Sequence, residues 1–369
     1  MTRCISIVPY RWLPADTGGH RAVALFYKYL SLHWQLVCAG TTDNDVSAAD
    51  GYEVLRVFRP SPLRYINPLY IFRLRRIIRA KKITHLILEH PYYGWLGVSL
   101  KLICGIKLIV RSHNIEGLRW KSLGKWWWRI LWYYERWVHR RADRNLFIQD
   151  EERQYAIEHW SLDPGRCFTM TYGVERDQAP APSAIADARQ LIRQQYGIAG
   201  DSTVLCFNGA FGYRPNLDAL HTILETILPL LERIPDLSFT ILVCGKDIPG
   251  DLMHRNYPRV IFAGFVPDIV PYLLASDVFL NPVMDGGGIK TKLVEALGYN
   301  LNAVSVRNGA VGIDPAWCNG KLLVCDNGDW PAFARLVVEA SRIKGDIPPL
   351  YFKHFYWGSI ARAAAAFME

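Results

Sequence analysis

The stretch from Asn281 to Asn300, NPVMDGGGIKTKLVEALGYN, constrains this chain more than any other. The apolar run Val278-Phe279-Leu280 before it reads as the end of a buried strand. Three consecutive glycines follow, Gly286, Gly287 and Gly288. From Ile289 a helical pattern carries Leu293, Ala296 and Leu297 at helical spacing. Glycines between strand and helix let backbone N–H groups approach an anion, and a helix N-terminus adds partial positive charge. Lys290 and Lys292, in the first turn, oppose that dipole, a local cost that an anionic ligand would offset. Glu295 shares the direction of Lys292 and Gly288, and a carboxylate there can accept hydrogen bonds from ribose hydroxyls. The same residues also fit a Gly-rich loop with solvated lysines, so the rest of the chain has to decide.

The device recurs at the other end of the sequence. Ile5 to Pro9 reads as a buried strand, a loop carries Pro14 and Gly18-Gly19, and a helix runs from about His20 to Leu32. Further strands fall at Gln35 to Ala39, Val54 to Phe58, Thr84 to Leu88, Lys107 to Val110 and Asn145 to Ile148. Pro68 to Ala80 reads as a basic helix, and Gly94 to Cys104 and Gln149 to Trp160 as helices. The segment APAPS, Ala179 to Ser183, breaks the composition and reads as a linker. A second unit then alternates strands (Thr203 to Phe207, Ser238 to Cys244, Val260 to Phe262, Val278 to Leu280, Ala303 to Val306, Leu322 to Cys325) with helices (Asn216 to Leu231, Asp268 to Ala275, Ile289 to Leu297, Asp329 to Arg342). Such alternation predicts α/β architecture with mostly parallel, doubly wound sheets, whose ligands lie outside the carboxyl ends of the strands. Glu89-His90-Pro91 and Arg111-Ser112-His113-Asn114 follow strands in this way.

With 369 residues, half of them hydrophobic, the chain can bury two cores. Its net charge of +9 points to an anionic partner: a nucleotide, a nucleic acid or an acidic membrane. Eight cysteines are scattered without a CxxC pair, several inside apolar strands, which argues against a disulfide framework or a zinc site and favours a reducing cytosol. No apolar run reads as a signal peptide or a spanning helix.

Leu118 to Arg144 is unlike the rest. It holds six of the 13 tryptophans, and eight Lys or Arg against Glu135 and Asp143. Its apolar residues cover too many sides for one buried stripe. Aromatic rings flanked by cations suit a membrane interface; a large aromatic helix filling the first core fits the same residues.

In order and spacing, these pieces resemble the GT-B glycosyltransferases, and the second half is similar to glycosyltransferase family 4. The likeness rests on Asn208-Gly209 with Tyr213 and Pro215-Asn216; on Val243-Cys244-Gly245; on Gly264-Phe265-Val266 with Asp268; and on Pro282 followed by Gly286 to Gly288, Lys290, Lys292, Glu295 and Ala296. The tail Gly309 to Gly312 fits as well. In the first half it rests on Pro14 with Gly18-Gly19 and Arg21, and on His113-Asn114 with Glu116. Many members carry two acids eight residues apart around the loop; here Gly287 takes the first place and only Glu295 remains. The Arg…Lys pair after the first strand of the second domain is also absent, Arg214 being the nearest cation.

The resemblance implies two Rossmann-like domains facing a central cleft: residues 1–178 for the acceptor and 179–356 for a nucleotide-sugar donor, with a last helix in 357–369 packing back on the first domain. It implies a retaining transfer to a glycan or lipid-linked acceptor in bacterial surface polysaccharide or lipopolysaccharide synthesis, with no cofactor and no required metal. Lys292, Lys290 and His113 take the catalytic roles. Gly18, Gly19, Asn208, Gly209, Arg214, Val266, Gly286, Gly287, Gly288 and Glu295 hold the donor. Glu89, His90 and Asp268 read as structural, the last as a helix cap. The expected place is the cytoplasm, peripheral on the inner face of the membrane through Trp120 to Arg144. A nucleotide-sugar epimerase of the same fold, or a degenerate binding module, are the rival readings. Nucleic acid is not expected, since no nucleic-acid motif accompanies the basic residues.

Overall fold

The computed structural model describes residues 2–286 and 288–369. The chain divides into two compact units, Met1–Glu175 with Trp357–Glu369, and Arg176–Tyr356. The break thus falls a few residues before the composition shift. Pro182 does not belong to a linker: it opens a helix, where its missing N–H costs nothing.

Unit 1 is built on seven strands: β1 (Arg3–Ile7), β2 (Gln35–Thr41), β3 (Glu53–Phe58), β4 (His85–Glu89), β5 (Lys107–Ser112), β6 (Arg144–Phe147) and β7 (Cys167–Thr169). They pair in parallel in the order β3-β2-β1-β4-β5-β6-β7. The order reverses between β1 and β4, the switch point at which such sheets open a crevice. The central strands are buried on both faces, which is why they read as continuous apolar runs. The helices are α1 (Gly18–Leu30), α2 (Leu69–Ala80), α3 (Gly94–Cys104), α4 (Glu116–Ser122), α5 (Trp128–Arg141) and α6 (Asp150–Trp160).

Unit 2 repeats the plan with β8 (Thr203–Asn208), β9 (Phe239–Cys244), β10 (Val260–Gly264), β11 (Val278–Asn281), β12 (Asn302–Val306) and β13 (Leu322–Cys325), all parallel, in the order β10-β9-β8-β11-β12-β13. Its switch point lies between β8 and β11. Its helices are α7 (Pro182–Tyr196), α8 (Arg214–Thr222), α9 (Leu228–Glu232), α10 (Gly250–His254), α11 (Val270–Ala275), α12 (Thr291–Gly298), α13 (Trp330–Arg342) and α14 (Pro349–Phe355). The last helix, α15 (Trp357–Met368), belongs to unit 1, where it packs on α1.

The sequence reading did not include β7, α10 or α14; three further elements differ from it for visible reasons. The first helix begins at Gly18 rather than His20, because Thr17 caps it by accepting from the His20 amide. The expected helix from Asn216 to Leu231 carries a π turn over Ile223–Ile227 between α8 and α9. Leu118 to Arg144 is two helices, broken where Gly124 takes a left-handed backbone (φ 68°). That break explains why no single stripe could be drawn along it.

Candidate active site

In unit 2 the loop after β11 leads into α12. Leu293, Leu297 and Ala296 are buried and dock α12 on the sheet; burying one such leucine contributes roughly 1.5–3 kcal/mol. This anchorage fixes Lys292 one turn from the strand ends. Its ammonium donates to Asn216 Oδ1 at 2.6 Å and lies 4.6 Å from the centroid of the Phe207 ring. Asn216 in turn donates to the Ala210 carbonyl at 2.9 Å. Burial, helped by the charge of Lys290, pushes the Lys292 amine down to about 7. A cation held in a partly dry place, with no carboxylate partner among the described residues, gains most from an incoming anion.

The glycine at the end of β8 makes the approach possible. A Cβ on Gly209 would sit 2.8 Å from Asn216 Nδ2 and 3.2 Å from Lys292 Nζ. Gly209 Nα donates to the Cys244 carbonyl at 3.0 Å, and a Cβ on Gly245 would strike the Gly209 carbonyl at 1.8 Å. The signature Asn208-Gly209 with Val243-Cys244-Gly245 is therefore a close contact of two strand ends. Asn208 adds a buried side-chain oxygen with no hydrogen-bond partner.

The lysines act differently from each other. Lys290 is the residue before α12, and its ammonium binds the carbonyls of Gly286 and Gly288 at 2.6 and 2.9 Å. It closes the glycine loop on itself, and burial lowers its pKa. Gly286 has φ 90°, and a Cβ there would meet the Tyr213 hydroxyl at 2.7 Å, so the position requires glycine twice over. Gly287 lies outside the described residues. Glu295 is half-buried, one turn after Lys292 on α12.

Arg214 does not join this cluster. Its guanidinium is 81% exposed and pairs with Asp218 one turn along α8, at 2.7 Å. Val266 is partly buried against the small core under α7 and α11. Asp268 accepts from the Val270 amide at 2.9 Å, a local turn at the start of α11.

In unit 1 the ends of β4 and β5 carry a network of buried charge. Glu89 accepts from Arg111 Nη1 at 2.9 and 3.0 Å, from Tyr27 at 2.5 Å and from His113 Nε2 at 2.6 Å. Tyr27 also meets Ser6. Burial alone would raise the Glu89 carboxyl, but Arg111, His113 and Tyr27 outweigh it and hold it well below the ordinary carboxylate range. An ionised carboxylate only accepts, so the His113 proton sits on Nε2 and Nδ1 carries the lone pair. Burial, with His90 and Arg111 nearby, lowers His113 to about 4 and keeps it neutral. His90 stacks on His113 with centroids 4.2 Å apart and takes φ 64°.

The turn that carries His113 is held by two further acids. Glu135 of α5 accepts from the Glu116 and Gly117 amides at 2.9 and 2.7 Å, and Glu152 of α6 accepts from the Ile115 amide at 3.1 Å. Burial pushes Glu135 up to about 8 and Glu152 up to about 7. Gly18 and Gly19 are the first two residues of α1, and a Cβ on Gly19 would meet nothing within 4 Å. Gly19 therefore answers to no packing demand inside unit 1.

Sequence reasoning quoted Asn216 in a motif and Arg111 at a strand end without giving either a role of its own, and gave none to Tyr27, Glu135 or Asn281. The available signal for Asn281 was a polar residue closing a buried strand: it donates to Ser305 Oγ and to the Gly309 carbonyl, which ties the loop after β11 to the one after β12. Among the described residues no group of three or more His, Cys, Asp or Glu is placed to hold a metal ion.

The family model described as Glycosyltransferase Family 4 matches residues 22–178, and that described as Glycosyl transferases group 1 matches residues 202–342. The fold matches solved glycosyltransferases over nearly its whole length. The chain belongs to the GT-B glycosyltransferases. HepE from Anabaena, solved in complex with UDP, is 15% identical, with 99% of each chain covered and a TM-score of 0.71. The sucrose-phosphate synthase from Thermosynechococcus elongatus is 16% identical over 99% of this glycosyltransferase and 98% of that chain, with a TM-score of 0.70. WaaG, a glycosyltransferase involved in lipopolysaccharide biosynthesis, is 15% identical over 99% and 95%, with a TM-score of 0.62. No curated protein matches the glycosyltransferase by sequence.

Proposed function

We propose that this glycosyltransferase is a retaining enzyme that takes a nucleotide-sugar donor on unit 2 and a glycan or lipid-linked acceptor on unit 1, in bacterial surface polysaccharide or lipopolysaccharide synthesis. One observation carries the donor assignment: the Lys292 ammonium stands at the switch point of unit 2, half-buried, without a carboxylate partner among the described residues and with its pKa depressed to about 7. The bond between the anomeric carbon and a diphosphate oxygen breaks in this reaction, and negative charge grows on the diphosphate. A preorganised cation and loop amides stabilise that charge most in the transition state. Lys292 serves directly. Lys290 serves by shaping Gly286 to Gly288, while Asn208, Gly209 and the Val266 backbone line the nucleotide side and Glu295 takes the ribose hydroxyls. Gly18, Gly19 and the Nδ1 of His113 are assigned to the sugar and acceptor. HepE, a neighbour by fold, is solved with UDP-glucose, and WaaG acts in lipopolysaccharide biosynthesis; both support the choice of substrate class.

The test is Lys292→Ala assayed with a nucleotide-sugar panel. One charge-assisted contact is worth roughly 1.5–3 kcal/mol, so turnover falls about ten- to a hundredfold with the thermal midpoint little changed. A chelator leaves the wild type active, and nuclear magnetic resonance shows the donor's anomeric configuration kept in the product. Unchanged turnover in the variant, or inversion, defeats the reading.

The cytoplasmic, peripheral placement rests on the aromatic stretch. Trp132 and Trp137 pack against the cores, but Trp126 is 84% exposed; Ile130 and Tyr133 are exposed in the same stretch, as are Lys121, Lys125 and Arg129. Among the described residues no helix is long and apolar enough to cross a membrane, whereas exposed Trp with nearby cations suits an anionic headgroup layer. Co-sedimentation with acidic vesicles, weakened by salt and by Lys121, Lys125 and Arg129 exchanged for Glu, is the expected outcome. A wild type that stays in the supernatant removes the membrane from the proposal.

A further inference from the structure

Tyr213, the residue before α8, stands over the glycine loop of unit 2 with its polar end inward. A surface tyrosine usually lays its ring on the protein and keeps its hydroxyl in water. Tyr213 is reversed. The residue is 55% exposed, yet its hydroxyl rests on the loop. A Cβ on Gly286 would lie 2.7 Å from the hydroxyl oxygen and 3.7 Å from Cζ, so the oxygen leads. Among the described residues that oxygen has no hydrogen-bond partner. Neither burial of the ring nor a hydrogen bond inside the protein accounts for its place.

The turn that carries Tyr213 is also the one that holds Lys292. The Tyr213 amide donates to the Ala210 carbonyl at 3.2 Å, and the Tyr213 carbonyl accepts from the Asn216 amide at 3.0 Å. The Asn216 side chain closes the same turn on Ala210 and accepts from Lys292. Phe211, inside the turn, is buried, and its amide donates to the Lys246 carbonyl at 2.9 Å. One fixed piece of backbone thus sets both the phenol and the ammonium beside the loop. Arg214, the next residue, is engaged by Asp218. The turn therefore offers the loop a neutral donor in place of a second cation. Towards the N-terminus of α12, Glu295, Lys292 and the glycine loop follow one another. A nucleoside diphosphate laid along this line, ribose at Glu295, has its distal phosphate at Gly286, under Tyr213.

We propose that the Tyr213 hydroxyl donates a hydrogen bond to the distal phosphate of the nucleotide-sugar donor, and so selects nucleoside diphosphates over monophosphates. The inference rests on reading unit 2 as the donor site. A hydroxyl that donates to a charged oxygen makes a stronger bond than one between neutral groups, and Lys292 alone does not distinguish one phosphate from two. The contact also serves the reaction. When the bond between the anomeric carbon and the distal phosphate breaks, its electron pair stays on the phosphate oxygen. The acceptor oxygen takes the carbon and releases its proton. The phenol O–H stays intact, and its hydrogen bond strengthens as charge grows on the phosphate.

The experiment titrates the full chain with UDP, GDP and ADP and with the matching monophosphates UMP, GMP and AMP. The proteins are the wild type, Tyr213→Phe, Tyr213→Ala and Lys292→Ala. The diphosphate that the wild type binds most tightly is compared with its own monophosphate. Tyr213→Phe keeps the ring and removes only the hydroxyl. It weakens the diphosphate about tenfold and leaves the monophosphate within about twofold. Tyr213→Ala weakens the diphosphate by a similar factor, because the ring itself contributes little. Lys292→Ala weakens the diphosphate as well. A Tyr213→Phe protein that binds the diphosphate like the wild type overturns the proposal and leaves the donor reading standing, provided Lys292→Ala is weakened. A loss in Tyr213→Phe that is equal for monophosphate and diphosphate overturns it too, since the contact is then not with the distal phosphate. If Lys292→Ala binds like the wild type, or the wild type binds no diphosphate, the donor reading of unit 2 falls and takes the Tyr213 contact with it.

Discussion

At the strand ends of unit 1 the Glu89 carboxylate meets Arg111, His113 and Tyr27, whereas at the strand ends of unit 2 the Lys292 ammonium meets an amide oxygen and an aromatic ring. Both places are partly or wholly dry. In the first, charge is matched inside the protein, and the product of the matching is a neutral His113 with a fixed tautomer. In the second, charge is left unmatched, and the local penalty appears as a depressed lysine. The same topology thus positions a polar reagent in one unit and prepares an anion site in the other.

Breaking the matched cluster has the largest effect. Glu89→Ala strands the buried Arg111 without its counter-ion, and removing one partner of a buried pair costs about 3–5 kcal/mol. Urea unfolding of the variant shows a correspondingly lower midpoint. A loss under about 1 kcal/mol would mean that water reaches Arg111 and that the network is not closed.

The unmatched cluster is sharpened by pH. The Lys292 pKa is lowered in the free protein to about 7, so above that value the ammonium is increasingly lost. A bound diphosphate favours the charged form and raises the pKa again. Binding therefore takes up a proton. Affinity for a nucleotide sugar weakens by up to tenfold per pH unit above about 7, until the raised pKa of the complex is reached. Calorimetry in buffers of different ionisation enthalpy reads that proton directly. Affinity that is flat from pH 7 to 9, with no proton uptake, places the diphosphate elsewhere.

How much of this was legible in the sequence follows from the same contrast. Parallel strands and glycine turns leave local signals: β-branched runs, GG pairs and helical spacing, all written within a few neighbouring residues. The two sheets, apart from the three-residue edge strand β7, were therefore readable, as were α12 and the loop glycines. The charge matching was not, because Glu89 finds Tyr27 and Arg111 across dozens of residues of chain, and nothing local distinguishes Arg111 from a surface arginine. Lys290 and Lys292 look equivalent in the motif. The backbone separates them, turning one onto the loop carbonyls and the other onto Asn216. The aromatic stretch was ambiguous for a related reason. Gly124 splits it, so some of its rings face the cores and others face solvent.

The smallest effect belongs to Arg214, and it tests where the boundary of the unmatched cluster runs. Its side chain stands in solvent and already has a partner, Asp218, through both carboxylate oxygens at 2.7 and 2.9 Å. An exposed pair at this spacing contributes about 0.2–1 kcal/mol, so Arg214→Ala barely moves the unfolding midpoint. If the donor diphosphate is held by Lys292 and the loop amides, Arg214→Ala also lowers kcat/KM by less than about fivefold, the kinetic equivalent of about 1 kcal/mol. Asp218→Ala releases the guanidinium and separates the two possibilities further. Turnover that rises with Asp218→Ala and falls more than tenfold with Arg214→Ala would show the arginine leaving its helix partner for the donor. Two near-neutral variants confine the anion site to α12 and the loop before it.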